Sequence, residues 1–243
     1  MESKPFAVGV RVMHYQKMID KEQYQNKIKK APYKLTYQTK NHRGVYSFCM
    51  CPGGYVINSA SENNSLVVNG MSNYLRDSNT ANSAIVVTVS KKDYGEGLFA
   101  GVKYQQELEK KAYLKGNGKI PVEYYQDFLN KKITKKETDF AILGAYTFTD
   151  LNDILPVTIS DSIKEAMIEF NKKIKNFSDS NPLLAGVETR TSSPIKIIRD
   201  EKLESNIKGI YPCGEGSGYA GGITSSAIDG IKVAEEIIKK YYY

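Results

Sequence analysis

Residues 209–237, GIYPCGEGSGYAGGITSSAIDGIKVAEEI, decide how this chain reads. Gly209–Cys213 reads as a strand, a glycine-rich loop follows, and Ile223–Lys240 carries the apolar period of a helix. Seven of the 19 glycines fall between Gly209 and Gly230. Gly216-Ser-Gly218-Tyr-Ala-Gly221 matches GxGxxG, a turn whose glycines let backbone amides approach a pyrophosphate where a helix begins. A complete dinucleotide fingerprint also has a second parallel strand ending in Asp or Glu about 20 residues further on. Here the helix runs on to KKYYY. The match is therefore half a fingerprint and is not the main adenine-nucleotide site. What remains is a helix start, where amides at Gly222, Ile223 and Thr224 point outward with the helix dipole toward an anion or a carbonyl oxygen. Gly214, Glu215, Gly216, Gly221, Gly222, Ile223 and Thr224 are the ligand-binding candidates. Glu215 is suited to accept from a sugar or polyol hydroxyl, and Gly222 is expected to permit close approach or an unusual backbone angle. The competing reading is a strand-to-helix packing turn that holds no ligand.

Working toward the N-terminus, Asp161–Phe177 is the cleanest amphipathic helix, with Ile163, Met167, Phe170 and Ile174 on one face. NPLLAGVETR and SPIKIIRD read as strands around a Ser-rich bend. Leu98–Leu114 has a helical period with Gly116 and Gly118 as stop signals, and Pro121 is placed to start a helix over Val122–Asn130. Before residue 91 the texture is β. FAVGVRV (6–12), YKLTYQT (33–39), GVYSFCM (44–50), Leu66–Asn69 and Ala84–Ser90 read as strands, and Tyr55–Asn58 as the hairpin return of 44–50. Residues 17–29 read as a polar helix. The expectation is an α+β chain: a mixed β-sheet domain with a helical insert, closing with a strand–glycine loop–helix unit. The boundary falls near residue 190, giving a substrate-facing domain over 1–190 and a closing segment over 191–243.

The 243 residues are 41% hydrophobic and 25% charged, the balance of a globular chain large enough to bury its own core. Three cysteines are too few for a disulfide scaffold, and their odd number fits a reducing compartment, so the expected location is cytoplasmic. No stretch approaches the length of a membrane-spanning helix, and MESKPFAVG lacks a signal-peptide profile. The net charge of +7 comes mainly from Lys interleaved with Glu, as in QQELEKKAY, which reads as solvated helix faces. Nucleic acid is accordingly not the expected partner. Only five cations are Arg (Arg11, Arg43, Arg76, Arg190, Arg199), and all lie in or beside strand-like or Gly/Ser-rich segments, where planar, bidentate binding has a use. Two histidines offer neither metal-ligand spacing nor a hydrolase triad, and no metal site is expected.

The strings KPFAVGVRV, RGVYSFCMCPGGYVINSASE, VVNGMSNYLRDSNTANSAIVVTV, GVETRTSSPIKIIRD and YPCGEGSGYAGGITSSAIDGIKVA run in order from residue 4 to residue 234. Over that span the chain resembles the uncharacterised FAD-dependent dehydrogenases of the glutathione-reductase-like flavoprotein class. The resemblance implies FAD as cofactor, a small-molecule substrate, a nicotinamide nucleotide as electron partner, and no membrane. Family members also carry an earlier βαβ unit with GxGPAG that grips the ADP half of FAD. That unit is missing here, so the resemblance implies the C-terminal portion of a larger flavoprotein, with an N-terminal FAD-binding domain as its partner. MHYQ at Met13–Gln16 departs from the family's EHP-type tripeptide, which weakens Arg11–His14 as a site. By the same resemblance the glycine loop and Arg190 face the flavin, while Cys51, Arg76 and Asn82 are flavin- or substrate-proximal. Arg190 could equally sit in an internal Glu–Arg pair, and the segment around Arg76 and Asn82 could be an Asx-rich turn. Cys49 and Cys51 are expected on opposite faces, one in the core and one toward the flavin, and so not as a redox pair. No general acid or base stands out. The alternative function is a non-catalytic Lys-rich module that binds nucleic acid or a protein partner.

Overall fold

The computed structural model describes residues 1–242. In chain order the elements are β1 (Glu2–Ser3), β2 (Phe6–Tyr15), α1 (Gln16–Tyr24), β3 (Thr36–Gln38), β4 (Gly44–Cys51), β5 (Gly54–Asn58), β6 (Val68–Ser72) and β7 (Thr80–Val89). They continue with α2 (Lys91–Tyr94), α3 (Ala100–Gly116), β8 (Ile120–Tyr124), α4 (Tyr125–Asn130), β9 (Ile142–Leu143), β10 (Tyr146–Phe148), α5 (Val157–Lys173), β11 (Leu183–Glu188), β12 (Ile195–Lys196) and α6 (Ile223–Tyr241). The fold is α+β. It divides into two compact units: residues 8–88 with 106–189, and residues 1–7 with 89–105 and 190–243.

The larger unit is built on a seven-stranded mixed sheet in the order β10-β8-β11-β2-β7-β4-β3, with a second sheet of β6-β5-β9. β2 and β7 are buried along nearly their whole length, which explains their unbroken apolar runs. α5 lays Ile163, Met167 and Phe170 into the core as its period predicts. The helix ends at Lys173, four residues earlier than the pattern suggested, yet Ile174 and Phe177 remain buried beyond it.

Three expectations fail here, each for a visible reason. Tyr55–Asn58 does not return along 44–50: β5 pairs with β6 and β9, while β4 pairs with β3 and β7. A bulge between Phe48 and Cys51, with Cys49 in the left-handed region (φ 46°), redirects the chain before the Pro52-Gly53-Gly54 turn. Pro121 starts no helix. It lies near the beginning of β8, where pairing with β10 and β11 outweighs its first-turn preference, and the helix waits until Tyr125. α1 stops at Tyr24 rather than running to residue 29. Gln25 turns left-handed (φ 51°), and the Asp20 carboxylate accepts from the Ala31 amide, holding the following loop against the helix.

The smaller unit pairs β1 with β12 and packs Phe6 against Tyr94, with ring centroids 5.5 Å apart. Ser90 caps α2 in a reciprocal capping box with Asp93. Gly209–Cys213, expected as a strand, forms none among the described residues. The segment is held instead by turn bonds, Ser205 N–H to Ile210 O and Gly209 N–H to the Glu204 carboxylate. The loop before α6 thus leaves irregular backbone and not a sheet.

Candidate functional site

The glycine loop is anchored from beneath. Arg199 Nη2 donates to Asp229 Oδ1 at 2.7 Å and Nη1 to Asp229 Oδ2 at 3.0 Å, while Nη1 also reaches Pro212 O at 2.8 Å. Asp229 Oδ2 accepts from the Gly214 amide at 2.9 Å, and the guanidinium lies 3.6 Å from the centre of the Tyr219 ring. The pair sustains itself: hydrogen bonding to Arg199 holds the Asp229 carboxyl below its ordinary range, and bonding to Asp229 raises Arg199. Asp229 on α6 therefore fixes both the start of the loop and the direction of the helix. Arg199 was one of the five arginines singled out in the sequence. Asp229 carried no such signal, because it lies nearly two turns into an amphipathic helix.

The glycines of the loop divide into two kinds. Gly218 is required by the chain: it has φ 87°, and a Cβ there would meet Ile195 O at 2.5 Å. Gly222 is different. Its backbone is extended (φ −153°), not the unusual angle the sequence suggested, and a Cβ would meet only Ser225 Oγ at 3.7 Å. A Cβ at Gly221 would touch Ser192 Cβ at 3.8 Å, and one at Gly216 would meet nothing within 4 Å. Nothing inside the chain demands glycine at these three positions. Gly221 and Gly222 lead directly into the first turn of α6, where Ile223 is 90% exposed and the amides of Ile223 and Thr224 lie outside the helical ladder. This bare cradle fits the carbonyl edge of a planar, electron-rich ring or a phosphate oxygen. Glu215 is exposed at its rim.

In the larger unit the residues singled out in β2, β4 and β7 meet around Arg11. Its guanidinium is fully buried and makes five bonds: Nε and Nη2 to the Glu188 carboxylate (2.7 and 3.0 Å), Nη1 to Cys49 O (2.7 Å) and Asn82 Oδ1 (3.2 Å), and Nη2 to Asn69 Oδ1 (2.8 Å). All five N–H directions of a guanidinium are thereby engaged. Burial works against the Arg11 charge, and Glu188 more than offsets it, leaving Arg11 raised. Burial pushes the Glu188 carboxyl up while Arg11 pulls it back. Asn82, a flavin-proximal candidate, is buried with its Oδ1 on Arg11 and its Nδ2 donating to Tyr55 O at 3.2 Å.

Cys51 lies in the interior, 7% exposed, and Cys49 is the exposed member of the pair. Their expected separation onto opposite faces needs correcting. Residues two apart on a regular strand share a face, and at this bulge the Cys51 thiol donates to Cys49 O at 3.3 Å. Arg76 is exposed with a left-handed backbone (φ 49°), and Arg190 is exposed at the end of the ETR string. Among the described residues there is no cluster of His, Cys, Asp or Glu that could hold a metal ion, and no helix long and apolar enough to cross a membrane.

Residues 5–191 match the family described as FAD-dependent protein, C-terminal domain-like, and the chain belongs to that family. It is also 47% identical to a protein of Clostridium beijerinckii described only as an uncharacterized protein, in an alignment of 253 positions covering 99% of this chain. The chain spans 48% of that relative's length.

Proposed function

We propose that this chain is the flavin-ring and substrate-facing part of an FAD-dependent oxidoreductase of the glutathione-reductase-like class, joined to an N-terminal domain that grips the ADP half of FAD. The observation that carries the reading is the start of α6 at Gly221 and Gly222, two glycines that neither backbone angle nor internal packing requires, as is Gly216 earlier in the same loop. When bound, FAD supplies hydride transfer. The chain's own contribution is to bind and orient: amides of Ile223 and Thr224 donate to the ring's carbonyl edge, where negative charge grows on reduction, and the positive end of α6 supports it. Glu215 would accept from a ribityl or ribose hydroxyl, and Arg190 would sit near the pyrimidine end of the flavin. The substrate is a small molecule, with a nicotinamide nucleotide as electron partner, and the setting is the cytoplasm.

The same helix offers the docking face for the N-terminal domain. Ile223, Ile228, Ile231 and Ile238 of α6 are all about half exposed or more, while only Asp229 and Val233 are buried. The relative that extends to about twice this length supports a further domain as the occupant. Expression of the chain alone and of the chain with its N-terminal partner domain tests the reading. The expected result is a colourless chain alone and a yellow, one-to-one FAD complex for the joined protein. A joined protein that folds yet holds no flavin overturns it. The family match gives no support to a nucleic-acid module.

A further inference from the structure

We propose that Asn69 is a site of self-modification: in the folded chain the Gly70 nitrogen closes onto the Asn69 side chain, and water then leaves aspartate and isoaspartate at that position. The sequence holds two Asn-Gly steps, Asn69-Gly70 on β6 and Asn117-Gly118 after α3, and the fold treats them differently.

The side-chain carbonyl of Asn69 is held by a cation. Arg11 Nη2 donates to Asn69 Oδ1 at 2.8 Å, and the Gly70 amide donates to the same oxygen at 2.8 Å. Both partners are donors, so the oxygen of the side-chain amide, not its nitrogen, faces them. A charged donor on a carbonyl oxygen draws electrons from its carbon and stabilises the oxyanion that forms when a nucleophile adds. The nucleophile here is the Gly70 nitrogen, which already lies beside the group it attacks.

That nitrogen is also free of the ladder. β6 stands at the edge of its sheet, and Val56, opposite Gly70 on β5, donates its N–H to Ala141 O on the other side. Val56 and Gly70 therefore form a non-hydrogen-bonded antiparallel pair, with the Gly70 N–H turned away from β5. No ladder bond has to break before it reacts. Position 70 has no room for a side chain that would shield the nitrogen, since a Cβ would lie 2.4 Å from Arg11 Nη1 and 2.3 Å from Asn82 Oδ1. Asn69 itself is exposed, so water reaches it. Asn117 is exposed too, but the Gly118 N–H is engaged with Tyr113 O at 2.9 Å in the turn that closes α3.

The chemistry balances with water alone. The Gly70 nitrogen gives its proton to solvent and bonds to Asn69 Cγ, placing negative charge on Oδ1 against Arg11. The charge returns, the Cγ–Nδ2 bond breaks, and Nδ2 takes up a proton and leaves as ammonia, so a succinimide ring remains. Water opens the ring at Cγ to give aspartate, or at the backbone carbonyl to give isoaspartate. One water is consumed, one ammonia is released and no electrons are transferred. Aspartate sets a second carboxylate against Arg11 beside Glu188, and isoaspartate adds a methylene to the β6 backbone where it pairs with Ile57. Either product changes the Arg11 cluster irreversibly.

The test incubates the whole chain at neutral pH and physiological temperature, folded and in urea, and reads aspartate and isoaspartate at each Asn-Gly step by peptide mass spectrometry. In the folded chain Asn69 should convert roughly tenfold faster than Asn117, part of the factor of about 10²–10³ that a single oxyanion donor supplies, the rest being lost to the strand's restraint on ring closure. In urea the two sites should convert at similar rates, and both products should appear at Asn69. Equal rates at the two sites in the folded chain, or a tenfold difference that persists in urea, would overturn the proposal. So would aspartate without isoaspartate at Asn69, the mark of direct hydrolysis. No flavin or partner domain enters this assay, so its failure leaves the cofactor reading untouched.

Discussion

Arg11 on β2 and Glu188 on β11 form a bidentate ion pair, Nε to Oε2 at 2.7 Å and Nη2 to Oε1 at 3.0 Å, inside the antiparallel pairing of those strands. The two residues are 177 positions apart, so the pair ties one of the first elements of the larger unit to its last strand. A buried pair of this kind is weak evidence for stability as a whole, but removing one partner leaves an uncompensated charge. Glu188→Gln is expected to destabilise the chain by about 3–5 kcal/mol, read as a fall in the denaturant midpoint with an unchanged slope. A loss under 1 kcal/mol would mean that water reaches Arg11.

His14 should make the fold acid-sensitive. Its Nε2–H donates to Phe177 O at 2.6 Å, and complete burial lowers the imidazole to about 4. The unfolded chain binds this proton from about pH 6.5 downward, the folded one only near 4. Stability is therefore fully present above the unfolded value and is lost as pH falls from 6.5 to 4, by up to about 3 kcal/mol. His14→Gln should flatten the pH dependence of the melting temperature across that window, and an unchanged slope would place the acid sensitivity elsewhere.

Glu123 acts with the opposite sign. The residue is 1% exposed on β8, with Oε2 accepting from the Leu151 amide at 2.9 Å and Oε1 without a partner. Burial pushes its carboxyl up to about 8, despite that hydrogen bond. The folded state holds the proton between the ordinary carboxylate range and pH 8 while the unfolded state releases it, so stability declines as pH rises through that interval. Glu123→Gln should stabilise the chain at pH 8 by about 1–2 kcal/mol after allowance for solvent screening, with no gain at pH 4. Equal gains at both pH values would point to packing instead of ionisation.

Gly218 and Gly222 should separate folding from cofactor binding. Gly218→Ala forces a Cβ onto Ile195 O from a left-handed backbone and is expected to cost about 1–3 kcal/mol of stability. Gly222→Val makes only an ordinary contact with Ser225 Oγ at 3.7 Å from an extended backbone, so the chain's melt should barely move. In the protein joined to its N-terminal domain, the same valine should weaken flavin binding roughly 5- to 150-fold, the loss of an amide contact of about 1–3 kcal/mol. If Gly222→Val lowers the melt and spares flavin binding, the loop is a packing turn.

Much of the architecture was legible from local patterns. The buried strand at FAVGVRV, the apolar face of α5 and the helix start at Ile223 follow from periodicity and glycine placement, because each depends on neighbours within one or two turns. The misreadings were of partnership. Pro121 reads locally as a helix start and lies in a strand because β10 and β11 flank it. Gly209–Cys213 has strand-forming composition but pairs with nothing among the described residues. Of the candidate site, the glycines were visible as a cluster, but which of them the chain itself requires was not, since that depends on Ile195 O lying beside Gly218.

By itself the sequence determined the α+β class, the helix after its glycine-rich loop and membership of an FAD-dependent protein family, because long ordered strings and short-range periods survive without coordinates. Only the tertiary structure decided what the polar residues do. Arg11 was a lone cation in a strand until Glu188, Cys49, Asn69 and Asn82 closed around it from separate strands, and a bulge between Phe48 and Cys51 set the Cys51 thiol on the Cys49 carbonyl. Ion pairs and buried hydrogen bonds depend on distances of a few ångströms between groups far apart in sequence or across an irregular backbone, and strand periodicity carries no record of either.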